Sequence, residues 1–184
     1  AAAMLNAILG KVNPSGKLNE TYPLAYEDVP SAPYFPSRER NAEYREGLYV
    51  GYRYFETVGK PVRFPFGYGL SYTTFTYSDL TVNEQEASFT LANTGERDGA
   101  ETAQLYVRAK CSGVYRPAKE LKGFRKVFLK AGESQKVTIP LDDKAFRYFN
   151  ETTGRFEVEG GEYEILIGAS CADIRLSAAV TAAG

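Results

Sequence analysis

Twenty-three acidic side chains, 22 basic ones and no histidine set the chemistry open to this 184-residue chain. Without histidine, Ser-His-Asp and Cys-His nucleophilic catalysis are excluded. So are the usual zinc and non-haem iron sites, and no metal or cofactor is expected. What remains is carboxylates, tyrosine, lysine and two cysteines. Asp142 and Asp143 are adjacent, and in a strand adjacent side chains point to opposite faces. Glu157 and Glu159 share a face, but they precede Gly160-Gly161, where solvated charge is the ordinary outcome. Cys111 and Cys171 have neither CxxC spacing nor a second pair. They read as two small, partly buried residues, since a bridge would need Cα atoms within about 7 Å.

Other residues suit binding or packing better than bond breaking. Glu46 and Arg53 could hold a substrate. They read more simply as a half-buried ion pair, because a lone buried carboxylate is costly and a guanidinium satisfies it bidentately. Tyr68, Tyr72 and Tyr77 could stack on sugar rings, although the chain has no tryptophan. The stretch Arg116–Lys126 is locally basic and reads as a sheet edge defended by lysine. The net charge is −1 with both signs interspersed, so no basic stripe points to nucleic acid. No apolar run approaches the ~20 residues of a bilayer span. Asn19-Glu20-Thr21 and Asn150-Glu151-Thr152 fit the glycosylation acceptor pattern.

The elements that must position these residues fall into two parts. Residues 1–10 are helix formers with Leu5, Ile8 and Leu9 at helical spacing and Gly10 as a C-terminal stop. The start reads as the middle of a helix, as in a piece of a longer chain. Residues 11–45, with Pro14, Pro23, Pro30, Pro33 and Pro36, predict a loop long enough to be functional or to lie across a partner surface. Residues 47–57, rich in aromatic and β-branched residues and flanked by turn formers, predict a strand. An aromatic corner, Pro65–Leu70, follows. The density of Tyr and Phe over residues 44–77 marks a packing interface. After Tyr72 the pattern becomes period-2 alternation with a turn every ~8–12 residues: 75–82, 87–91, 103–107, 121–129, 137–141, 146–149, 163–167 and 174–180. That is the signature of a two-sheet antiparallel sandwich.

Several stretches then resemble one family, the family 3 glycoside hydrolases of the β-glucosidase type. Gly10-Lys11-Val12-Asn13-Pro14-Ser15-Gly16-Lys17-Leu18, with Thr21 and Pro23, is similar to the end of that family's α/β-sandwich domain. Tyr44–Phe55 (YREGLYVGYRYF) resembles the family's next motif, and Phe64–Phe75 (FPFGYGLSYTTF) is similar to its junction into the fibronectin-type-III-like domain. Asn93-Thr94-Gly95, Gln104–Val107, Arg116-Pro117, Lys119–Phe124 and Gly132-Glu133-Ser134 continue in the family's order. The resemblance implies a mainly β fold, with an immunoglobulin/fibronectin-type-III-like antiparallel β-sandwich over residues 71–184. Residues 1–70 would be the C-terminal remnant of the α/β-sandwich domain: a short helix, a long loop and a strand.

It also implies a retaining exo-β-glycosidase as the parent, which needs two carboxyl groups about 5–5.5 Å apart. In the family the nucleophilic Asp belongs to a barrel domain, and the acid/base Glu lies upstream of the Asn-Pro-Ser-Gly motif. Neither segment is present, so no catalytic residue is carried over. The implied partners are the α/β-sandwich and barrel domains of the same protein, and a β-glucoside or related oligosaccharide is the parent's substrate. The residues expected to pack the domain junction are Glu46, Tyr49, Tyr52, Arg53, Tyr54, Phe66, Tyr68 and Tyr72. A stand-alone carbohydrate-binding or adhesion module is the alternative reading. The compartment is left open.

Overall fold

A computed structural model describes residues 2–37, 40–142 and 144–184. From Phe75 onward the alternation is realised as strands: β3 (Phe75–Val82), β4 (Glu86–Asn93), β5 (Gly99–Ala109), β6 (Glu120–Leu129), β7 (Ser134–Pro140), β8 (Arg147–Asn150), β9 (Arg155–Val158), β10 (Gly161–Gly168) and β11 (Ile174–Ala182). They form a four-stranded antiparallel sheet in the order β11-β10-β5-β6 and a three-stranded sheet in the order β3-β4-β7, with β8 and β9 as a separate hairpin. β11 runs beside β3 and β6 beside β7, so the two sheets close on one another. The inward positions expected from the alternation fill the core. Phe89, Leu91, Leu105, Leu129, Ile139, Ile165 and Ile167 all have less than 2 % exposure or sit at that mark. This is the fibronectin-type-III-like sandwich in outline, two packed sheets sharing one dry interior.

Two features fix how the sheets meet, one at each end of the sandwich. Asn93, the last residue of β4, is 1 % exposed. Its Nδ2 donates to Arg97 O (2.7 Å) and Leu129 O (3.2 Å). Its Oδ1 accepts from Thr73 Oγ1 (2.6 Å) and Gly95 N–H (3.1 Å). All four valences of a buried amide are thus used, which is what makes it tolerable in the interior. On β6, Gly123 lies so close to β7 that a Cβ there would sit 2.6 Å from Ile139 Cγ2.

Residues before the sandwich are sparser. Helix α1 (Ala2–Ile8) buries none of its residues. Two short strands, β1 (Tyr22–Pro23) and β2 (Val62–Phe64), pair with each other. The strand expected over residues 47–57 is instead a helix, α2 (Tyr52–Val58). The reason lies in its ends. Gly51 enters at φ 56°, ψ −132°, a conformation that only glycine adopts at no cost. Gly59 leaves in the left-handed region (φ 65°), its N–H donating to Phe55 O, as a glycine C-terminal stop does. Tyr52 and Phe55, three apart, then bury on one face, which a strand would not allow.

Two stability predictions follow from these contacts. Asn93→Ala strips Thr73, Gly95 and Leu129 of buried partners at once and is expected to cost at least about 2 kcal/mol in urea unfolding. Gly123→Ala forces Ile139 or the backbone to move and is expected to cost about 1–3 kcal/mol, with Gly123→Val worse. A neutral Gly123→Ala would contradict the close approach of β6 to β7.

Candidate functional site: the seam between the N-terminal segment and the sandwich

The outer face of the four-stranded sheet carries a second apolar cluster, separate from the core. Tyr52, Tyr106, Leu166 and Cys171 are buried there, with Phe66, Leu121 and Ile174 packed around them. Tyr52 stacks on Phe66 with ring centroids 4.9 Å apart and meets Tyr106 edge-on at 5.9 Å. Alternation explains how one strand serves two clusters: Leu105 points into the core and Tyr106 outward to the seam.

Helix α2 is held in register by a polar ladder along residues 118–121. Thr57 Oγ1 accepts from Ala118 N–H (2.9 Å). Glu56 pairs with Lys119 through a 2.5 Å contact. Arg53 lies 3.8 Å from Glu120, and the Tyr52 hydroxyl accepts from Leu121 N–H (2.8 Å). A register shift in the β5–β6 pairing places Leu121 opposite Tyr106. Such bulges re-aim backbone and side chains, and here the result is a Leu121 N–H directed at α2.

Further along, the aromatic corner is locked by Gln104, whose Nε2 donates to Gly67 O and Ala169 O. Gly67 has φ 81°, and a Cβ on it would meet the Gln104 amide at 2.2–2.7 Å. Leu18 exchanges hydrogen bonds with the same corner: its N–H donates to Tyr68 O and its carbonyl accepts from Gly67 N–H. Asn13 accepts from Ser71 Oγ and Tyr72 N–H and donates to Asp98 O. Lys17 pairs at 2.9 Å with Glu101, a carboxylate that is itself buried and also accepts from the Tyr77 hydroxyl.

The eight residues singled out in the sequence are distributed as follows. Tyr52 is buried and Arg53 and Phe66 are half-buried, all in the seam. Tyr54 is half-buried, edge-on to Phe55 at 5.2 Å. Tyr49 lies 5.1 Å from Tyr115, and Tyr68 lies 5.3 Å from Phe64. Tyr72 is half exposed; its hydroxyl donates to Ala7 O, and the Arg97 guanidinium sits over its ring. Glu46 lines a hollow of about 400 Å³ together with Tyr34, Phe35, Pro36, Tyr44 and Arg45. The ion pair expected between Glu46 and Arg53 is replaced by Arg53–Glu120. The helical turn at residues 52–58 aims Arg53 along the sheet, whereas Glu46 precedes it in the loop. Glu56 and Thr57 are not singled out in the sequence, and Lys119 and Gln104 appear there only within longer stretches. The signal for the first two is faint: Glu56 falls four residues after Tyr52 and Thr57 four after Arg53, at helical spacing.

The residues weighed for other roles also have places. Tyr77 does not join Tyr68 and Tyr72 in a platform; it packs on Phe89 in the core (5.9 Å), and burial and the Glu101 carboxylate push its hydroxyl pKa far up. Glu159 accepts from Ser112 Oγ and Gly113 N–H, and Glu157 from Thr153 and Asn150, which hold both carboxyls below their usual range. Asp142 accepts from Lys144 N–H in a local turn, and Asp143 lies outside the described residues. Cys111 is exposed and Cys171 buried, both as free thiols. Burial, then the neighbouring Glu56 carboxylate, pushes the Cys171 thiol up to about 12. Within the basic stretch Arg116, Lys119 and Lys122 all face carboxylates, and only Arg125 and Lys126 point fully to solvent.

Comparison with known proteins places this geometry. Residues 101–171 match the model of the fibronectin type III-like domain. The thermostable beta-glucosidase B of Acetivibrio thermocellus is 47 % identical over 97 % of this chain and 25 % of its own length. The exo-alpha-(1->6)-L-arabinopyranosidase of Bifidobacterium breve is 46 % identical over 99 % of this chain and 25 % of its own. Among solved structures, the GH3 beta-glucosidase of Bifidobacterium adolescentis superposes with a TM-score of 0.93 at 46 % identity, covering 98 % of this chain and 27 % of that one. The beta-glucosidase of Kluyveromyces marxianus in complex with glucose superposes at 0.92 and 42 % identity, over 99 % and 23 %. The chain therefore spans about a quarter of the length of the relatives it matches. It corresponds to the region of family 3 beta-glucosidases that carries the fibronectin type III-like domain.

Proposed function

We propose that this chain is a non-catalytic structural module of a retaining exo-β-glycosidase, with residues 71–184 as a self-contained sandwich and residues 1–70 as the tail through which it grips the catalytic domains. One observation carries the reading. Apolar side chains of the tail lie open to water: Met4, Leu5 and Ile8 on α1, Leu9 just after it, then Phe35, Leu48 and Leu70, all more than half exposed. A soluble monomer rarely leaves so much apolar surface in one segment, and a covering surface is the ordinary explanation. The occupant is the polypeptide that makes up the other three quarters of the relatives' length.

The carboxylates support a bracing role. A glycosidase acid needs a raised pKa beside an ionised partner. Asp28, Asp79, Glu157 and Glu159 are all shifted downward, each by hydrogen bonds it accepts. Glu56 and Glu101 are committed to Lys119 and Lys17. The parent would hydrolyse terminal glycosidic bonds, on a β-glucoside or a related glycoside of the kind its relatives' names describe.

Three outcomes test this. The pure chain is expected to release no nitrophenol from 4-nitrophenyl β-D-glucoside; turnover lost on a single Asp or Glu substitution would overturn the proposal. It is expected to brighten a hydrophobic dye such as ANS, and Ile8→Lys with Leu9→Lys is expected to remove a large part of that signal without changing the unfolding midpoint. Titration with soluble β-glucan or xylan is expected to show no saturable binding. Saturable binding lost on Tyr72→Ala would favour a stand-alone carbohydrate-binding module instead.

A further inference from the structure

We infer that α2 and its flanks form a strap that undocks from the sandwich as a unit while the core stays folded. The inference is independent of the bracing role proposed above. It rests on how the two apolar clusters are built. Among the described residues the core holds sixteen buried apolar side chains, thirteen from strands of both sheets and three, Leu141, Ala145 and Phe146, from the connection after β7. The seam cluster holds four, and only Tyr52 among them comes from the N-terminal segment. Phe55 is the other buried large apolar residue among the described residues of that segment, with Phe66 half-buried beside Tyr52. A seven-residue helix has no independent stability in water, so α2 persists only while this narrow contact does.

The polar attachment of α2 itself runs mainly along one line, 118–121, with Glu56 also reaching the Cys171 thiol, so these bonds are lost together when the helix lifts. At each end of α2 stands a glycine with positive φ, Gly51 and Gly59, with nothing within 4 Å of where a Cβ would be. Both can pivot without collision. The outward face of β5 and β10 would be left bare by undocking. Their inward face, which packs the core, would not change. Segments with few buried apolar contacts are the ones that open below the global unfolding free energy.

The chain contains its own reporters. The amides of Ala118 and Leu121 donate to Thr57 and Tyr52 side chains, so their protection depends on α2. The Cys171 thiol is buried in the seam 3.8 Å from Glu56, and Cys111 is an exposed thiol for comparison. The test is native-state hydrogen exchange together with thiol alkylation of the pure chain at urea concentrations well below the unfolding midpoint. The expected result is that Ala118, Leu121 and Cys171 open with one common frequency and a weak urea dependence. That frequency should be at least about tenfold above the opening of Leu105 and Ile165. Phe55→Ala should raise the first three together and leave Leu105 and Ile165 unchanged.

Coincident opening of all five sites, with one urea dependence, would overturn the inference, because the seam would then belong to the global unit. So would faster opening of Cys171 alone, which would report fraying of the β10–β11 turn. If Phe55→Ala does not fold, the urea dependence of the unaltered chain decides the matter by itself.

Discussion

The burial of Tyr52 against Phe66 and Tyr106 is the contact on which the docking of α2 and the aromatic corner depends. A tyrosine in that position contributes large apolar area and a hydroxyl that must find a partner, and Leu121 N–H supplies it. Complete burial of one such side chain is worth about 1.5–3 kcal/mol. The ladder beside it adds little net energy, since buried ion pairs such as Glu56–Lys119 roughly offset their own desolvation. What the ladder adds is position. Four neighbouring residues on β6 and its approach are each addressed by one residue of α2, so a slip of the helix by one step would leave a buried lysine and two backbone donors unpaired.

The same logic explains why short motifs far apart in the chain meet in space. Asn13 ties the first loop to Ser71, Tyr72 and Asp98. Gln104 reaches Gly67, and Lys119 reaches Glu56. Each tie joins a residue of the N-terminal segment to one of the sandwich across tens of positions. None of these residues builds the core. They are polar or small because they work where the N-terminal segment meets the sandwich, a contact in which direction matters more than area.

The sandwich was legible because period-2 alternation depends on one physical fact, that one face of each strand is dry and the other wet. Strands β3–β7, β10 and β11 fall where Val, Ile, Leu and Phe alternate with polar residues. The seam was only half legible. The aromatic density at residues 44–77 marked it, but residues 47–57 were misread as a strand, because Tyr, Phe and Val have strand propensity on any scale and that scale reports half-buried surroundings more than backbone preference. Gly51, Gly59 and Pro61 carried the opposite message, as stops around a short helix. The Glu46–Arg53 pairing failed for a different reason. The cost of a lone carboxylate says what type of partner is needed but not which residue supplies it, and Arg53's partner, Glu120, is brought close only by the tertiary fold. Nothing in a single sequence announces such a pair.

One strand carries the argument from packing to mechanics. β5 is hydrogen-bonded on both sides, to β10 and to β6, and it presents Leu105 to the core and Tyr106 to the seam. β10 does the same with Ile165 and Leu166. Force applied to α2 is therefore received by the backbone ladder of the sheet before it reaches the interior side chains. A ladder of many bonds in parallel resists shear better than a packed surface resists peeling. A segment fastened to such a sheet can be held firmly in orientation and still be released along its narrow line of contact without disturbing the core. The geometry thus separates two tasks, with the sheet supplying stiffness and the seam setting where the tail points.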